Sequence, residues 1–175
     1  MPDQQGKREL LKQELLRLVL ARNDFAAAAA LCPLITTRMG NDLHLGLATG
    51  IVVSYIRPFT KCKVGRLEEP WSTLHDPELA RLHSRLFEYR NTLYAHNDPQ
   101  AKAREILVLP GDAWGTGQST ATEGLRWLTP EDAEQIKRLC ACQRERLSVR
   151  IAQLLDELIA GTEWPEGAML TIDQL

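Results

Sequence analysis

The stretch Asp76–Pro99, DPELARLHSRLFEYRNTLYAHNDP, is the part of the chain from which the fold is read. It opens on Asp76, Pro77 and Glu78. Asp accepts the free backbone N–H groups of a first turn, Pro has a φ already set for a helix, and Glu sits well at the positive end of the helix dipole. Leu82, Leu86, Tyr89, Leu93 and His96 then recur on one stripe, and Pro99 closes the run near Asn97. An amphipathic helix of this kind must bury its stripe, so the rest of the chain is read for partners.

Downstream, Thr129-Pro130-Glu131-Asp132 repeats the same start signal. Apolar positions follow at Ile136, Cys140, Leu147, Ile151, Leu154 and Leu158, up to Gly161. Upstream, residues 7–22 carry Leu11, Leu15, Leu18 and Val19 on one stripe. A separate helix is expected from Asp24, as N-cap, through five alanines to Cys32, with Pro33 ending it. Gly40 breaks the chain, and Asn41 or Asp42 caps a third helix, LHLGLATGIVVSYI, that runs to Arg57-Pro58. Gly46 and Gly50 give it one small face suited to close packing. Residues 60–75 read as a loop with a basic start at Lys61, Lys63 and Arg66.

Between the two best-capped helices, the apolar runs 105–109 and 125–128 flank Gly-, Ser- and Thr-rich sequence. This predicts a small β-hairpin-like insert at about 104–128. The tail, 161–175, reads as irregular. The expected fold is all-α: an antiparallel helical bundle in one domain spanning 1–175, with its core at about 7–160 and the insert before the last helix.

Composition bounds the function. The chain of 175 residues is 44% hydrophobic and 25% charged, with a net charge of −2, so a globally basic nucleic-acid binder is excluded while a local basic patch is not. Aromatics at 6% argue against a broad stacking platform for single strands. No stretch reaches the roughly 18 apolar residues of a membrane span, and MPDQQGKREL lacks a signal-peptide core. A cytoplasmic protein is expected. Cys32, Cys62, Cys140 and Cys142 then sit in a reducing compartment, without CxxC spacing or a nearby His, so neither disulfides nor a structural zinc are expected. His44, His75, His83 and His96 form no close ligand pairing with carboxylates, and Gly111, Gly115 and Gly117 lack the Lys-Ser/Thr ending of a phosphate-binding loop. No metal and no cofactor are expected.

Arg90 and His96 stand with five residues between them, and Asn91 follows the arginine. The spacing alone is uninformative: random placement gives about one such match, and Arg38 with His44 is a second. Context separates them. Arg90 and His96 end a capped helix, in the run YRNTLYAHND, whereas Gly40 interrupts the other pair. This run resembles the HEPN family, helical proteins whose signature is Arg, a polar residue, a few further positions and His. The ending Ala95, His96, Asn97, Asp98 and the earlier SYIRPFTK, Ser54 to Lys61, are similar to prokaryotic abortive-infection-type members. The resemblance covers roughly 7–160. The insert has no counterpart in the minimal family bundle.

The resemblance implies a metal-independent endoribonuclease acting as a homodimer in a defence or toxin–antitoxin setting, with RNA as substrate and an antitoxin or other defence protein as a further partner. The chemistry suits the residues. Attack by the ribose 2′-hydroxyl needs a group that moves protons near neutral pH, the role of His96. It also needs a fixed cation on the phosphate, the role of Arg90. Asn91 would bond the phosphate or hold Arg90, Asp98 would orient His96, and Tyr94 packs or contacts the site. Arg57, Lys61, Lys63 and Arg66 read as solvated surface cations by default, and as contacts to the RNA backbone in the sharper reading. The product would end in a 2′,3′-cyclic phosphate.

Six steps along a regular helix put Arg90 and His96 about 120° apart. Either the helix unwinds near its end, or two motifs face each other across a two-fold axis and build one composite site. A bland alternative remains: His96 as a hydrogen-bonded residue at the core edge and Arg90 as a solvated cation at the helix C-terminus. The chain would then be a non-catalytic binding or scaffold module of the same fold. Arg144, Arg146 and Arg150 read as the exposed face of the last helix.

Overall fold

The computed structural model describes residues 4–36, 41–91, 128–160 and 171–172. Among them are four α-helices and no strand: α1 (Gln4–Leu31), α2 (Asn41–Ile56), α3 (Pro77–Tyr89) and α4 (Pro130–Ile159). One-turn 3₁₀ segments, Cys32–Leu34 and Arg57–Phe59, follow α1 and α2. The protein is all-α over these residues. The insert expected at 104–128 lies outside them apart from Leu128, as does the tail apart from Thr171 and Ile172.

Two separate helices were expected before Pro33; the structure has one, α1. The reason is physical. No Gly or Pro interrupts Arg22-Asn23-Asp24, and the alanines that follow are the strongest helix formers. The buried stripe Leu15, Leu18, Ala21, Phe25, Ala28 and Cys32 runs straight through the expected break. Asp24 caps nothing; its carboxylate receives the guanidinium of Arg57.

The start signals of α3 and α4 act as read. Asp76 Oδ1 accepts from the N–H groups of Glu78 at 2.8 Å and Leu79 at 3.2 Å. Thr129 and Asp132 form a reciprocal capping box. Along α4, Ile136, Cys140, Leu147, Ile151, Leu154 and Leu158 are all buried.

Contacts set the helix directions. Arg8 reaches the Leu158 carbonyl and Glu14 pairs with Arg150, so residue numbers fall along α4 as they rise along α1. Asp24 meets Arg57, and Leu31 meets Gly50, so α2 also runs antiparallel to α1. A Cβ on Gly50 would stand 3.1 Å from Leu31 Cδ1, which makes this the close approach expected of the small face. Gly46 takes no part in it: no described atom lies within 4 Å of where its Cβ would be.

Arg146 and Arg150 are not an idle solvated face. Arg150 clamps α4 to α1 through a two-pronged pair with Glu14, at 2.9 and 3.1 Å. Arg146 donates to the carbonyls of Pro70 at 2.8 Å and Trp71 at 3.3 Å, with its guanidinium over the Trp71 ring. It thereby fixes the loop between α2 and α3. Arg144 alone of the three is exposed as read.

Candidate functional site

The site is built from the end of α3 upward. Leu82, Leu86 and Tyr89 face the core, which turns Arg81, Ser84 and Glu88 outward. Arg85 joins α3 to the first turn of α4 by an ion pair with Asp132 at 2.7 Å, and its guanidinium lies over the Tyr89 ring. The helix is therefore anchored where it approaches the motif.

Arg90 keeps helical φ and ψ (−56°, −44°), and its N–H is shared between the carbonyls of Leu86 and Phe87. The backbone then widens into a π-type turn through Asn91. Such a turn frees carbonyls and displaces side chains from the regular helical positions. Arg90 is half-buried and Asn91 exposed. Arg90 Nη1 donates to Asn91 Oδ1 at 3.0 Å, so the amide steers the guanidinium. His96, Tyr94 and Asp98 lie outside the described residues.

Arg57 stands just after α2. Its Nε donates to Asp24 Oδ2 at 2.9 Å and its Nη2 to Asp24 Oδ1. This fork ties the end of α2 to the C-terminal third of α1. The guanidinium remains exposed at its edge. Lys61 and Lys63 are exposed on the following loop, and neither pairs with a carboxylate among the described residues. Arg66 pairs with Glu68 at 3.2 Å.

The loop turns at Gly65, whose φ of 86° suits glycine alone, and whose N–H donates to the Cys62 carbonyl. A Cβ there would also stand 3.1 Å from Arg17 Nη1. Gly65→Ala is expected to destabilise the protein by about 1 kcal/mol or more, seen as a lower denaturant midpoint. An unchanged midpoint would show that the loop adopts another turn.

Sequence reasoning missed a buried polar group behind this loop. His83 is 7% exposed, and its Nδ1 accepts a hydrogen bond from the Tyr55 hydroxyl at 2.7 Å. The rings of Phe59 and Phe87 pack edge-on against it, with centroids at 4.8 and 5.0 Å. Burial pushes the His83 pKa down to about 4, opposed by the charge of Glu69, so the ring is neutral. Burial likewise holds the Tyr55 phenol well above its ordinary range, with a hydrogen bond to Gln143 acting against it. Gln143, fully buried, donates to the Trp71 carbonyl at 3.0 Å. The Tyr55–His83 bond thus links α2 and α3, and Gln143 joins α4 to the loop between them. The signal was present: His83 adjoins Leu82 on the stripe that also holds Leu86.

His44, in the pair set aside, is buried with Nε2 2.9 Å from the Leu128 carbonyl. Cys32 and Cys140 are buried thiols with pKa values raised by burial, that of Cys32 to about 11. Both are poor nucleophiles at neutral pH. Among the described residues no group of three or more His, Cys, Asp or Glu side chains is placed to hold a metal ion. No described helix is long and apolar enough to cross a membrane.

The described residues define an all-α protein with a half-buried arginine, steered by its neighbouring asparagine, at the end of a firmly anchored helix. Comparison with protein-family models, curated proteins and solved structures gives no match to this chain.

Proposed function

We propose that the protein is a metal-independent endoribonuclease of HEPN type that cleaves RNA by attack of the 2′-hydroxyl on the adjacent phosphate. The observation that carries this reading is the Arg90–Asn91 hydrogen bond at the end of α3, where the backbone widens. A guanidinium held by one neighbour keeps its remaining donors for a phosphate, and Arg stays charged at any working pH. His96 takes the proton from the 2′-hydroxyl or gives one to the departing 5′-oxygen. The P–O bond to that oxygen breaks as the bond from the 2′-oxygen forms, leaving a 2′,3′-cyclic phosphate. Arg90 offsets the charge that builds on the phosphate oxygens.

In this reading the working unit is a homodimer with a composite site, two copies of the motif facing each other across a two-fold axis as the family resemblance implies. Lys61 and Lys63 extend the cationic surface for the RNA backbone. Arg57 adds the exposed edge of its guanidinium while remaining bound to Asp24. A cytoplasmic defence or toxin–antitoxin role, restrained by a cognate protein, fits such an activity.

The test is incubation of wild-type and His96→Ala protein with mixed cellular RNA in EDTA. Wild type alone should produce fragments ending in 2′,3′-cyclic phosphate. Equal cleavage by both proteins would place the activity elsewhere. Cleavage by neither would favour the non-catalytic binding module.

A further inference from the structure

An open groove of about 460 Å³ lies beside the Arg90 end of α3, between that helix and the 66–72 loop. Phe59 and Phe87 supply its aromatic wall, with neutral His83 packed behind both rings. Arg66, Glu69 and Ser72 form its polar rim. Phe87 stands three residues before Arg90 and four before Asn91 along the chain. The groove thus has one wall residue, Phe87, within about a turn of the Arg90–Asn91 pair, while neither Arg90 nor Asn91 lines it.

Its most distinctive group is the Glu69 carboxylate. Ser72 Oγ donates to Oε1 at 2.9 Å and Thr73 Oγ1 donates to Oε2. The two hydroxyls hold the carboxylate in one orientation and keep it ionised, below the usual carboxylate range. Each oxygen retains accepting capacity. No cation forms a salt bridge with Glu69 among the described residues, while its neighbour Glu68 is taken by Arg66. A fixed carboxylate beside an aromatic wall is a site for a flat ring that presents two adjacent N–H donors.

We propose that this groove is a guanine-selective pocket for the RNA nucleotide next to the phosphate held by Arg90. The proposal rests on the ribonuclease reading for its substrate. Guanine alone among the four RNA bases offers two neighbouring donors, N1–H and the N2 amino group, on its Watson–Crick edge. Adenine and cytosine set a ring-nitrogen acceptor beside their amino group, which the carboxylate repels. Uracil has one donor between two carbonyls. Unstacked RNA bases are recognised in this manner, by an aromatic contact on the face and hydrogen bonds along the edge. The 6% aromatic content does not oppose it, because one base needs one wall.

The test is calorimetric titration of the full-length protein with the four ribonucleoside 3′-monophosphates. Guanosine 3′-monophosphate should bind about tenfold or more tightly than the others. Glu69→Gln, at an exposed position, should fold normally and lose that preference. Phe87→Ala should weaken all four by about tenfold, through lost stacking. Arg90→Ala should weaken all four through the phosphate and keep the preference. Equal or undetectable binding of the four by wild type, or a preference that survives Glu69→Gln, overturns the proposal. The two readings fail separately. Guanine selectivity without RNA cleavage in EDTA refutes the ribonuclease and leaves the pocket standing. Cleavage without guanine selectivity refutes the pocket alone.

Discussion

Arg90→Ala is expected to slow RNA cleavage by about 10³-fold, the scale of losing one fixed electrostatic partner of a reaction's developing charge. Its melting temperature should stay within about 2 °C of wild type. The Arg90 guanidinium donates to Asn91, an exposed residue, so truncation leaves no buried partner stranded. Arg90→Lys should restore little, since an ammonium offers a point charge where the phosphate is met by a planar fork. His96→Ala should give a loss of similar size through proton transfer. A large drop in melting temperature for Arg90→Ala would instead make the arginine a structural residue.

Mixing the two variants locates the site. If Arg90 of one chain works with His96 of the other, a mixed dimer holds one intact pair and one dead pair, and activity returns. If both residues act within one chain, neither chain of the mixed dimer is intact, and activity stays lost. The outcome decides between the composite site and a helix that unwinds within a single chain.

The second large effect is on stability in acid. Burial of His83 beside Phe59 and Phe87 lowers its pKa to about 4, whereas an unfolded histidine titrates near 6.5. Above about pH 6.5 the ring is neutral in both states, and its contribution to stability is complete. As the pH falls below that value, the unfolded chain takes up a proton that the folded chain refuses until about pH 4. Stability is therefore lost between these limits, by about 2 kcal/mol once partial solvent access is allowed for. The melting temperature should fall by roughly 5 °C between pH 7 and pH 4 on this account alone. His83→Asn keeps an acceptor for the Tyr55 hydroxyl but does not titrate, so its curve should be flatter across the window. Glu69, the charge facing His83, has its own pKa lowered, so its loss falls at the acid end and below. An identical slope in wild type and His83→Asn would remove His83 as the cause.

Parts of the fold were legible because they depend on neighbours in sequence. Asp76-Pro77-Glu78 and Thr129-Pro130-Glu131-Asp132 announce α3 and α4 through bonds that close within one turn. The α4 stripe is equally local, since helical period alone puts Ile136, Cys140 and Leu147 on one face. Asp24 was misread because the same local rule favours it as a cap. The buried stripe running on through Phe25, Ala28 and Cys32 makes an uninterrupted α1 its setting, and Arg57, far away in sequence, takes its carboxylate. Arg146 and Arg150 were misread for the same reason: their partners, Pro70, Trp71 and Glu14, are remote along the chain.

The candidate site divides in the same way. The sequence by itself determined the starts of α3 and α4 with their caps, the Arg90, Asn91 and His96 pattern, and the residue types able to move a proton and hold a phosphate, since these follow from residue identity and helical period. Tertiary structure alone decided that Tyr55 meets His83, that Gln143 and Arg146 hold the loop, and that Glu69 shares a groove with Phe59 and Phe87. Burial and hydrogen-bond partners between distant segments exist only once the chain has closed, and they set both the charge of His83 and the orientation of Glu69.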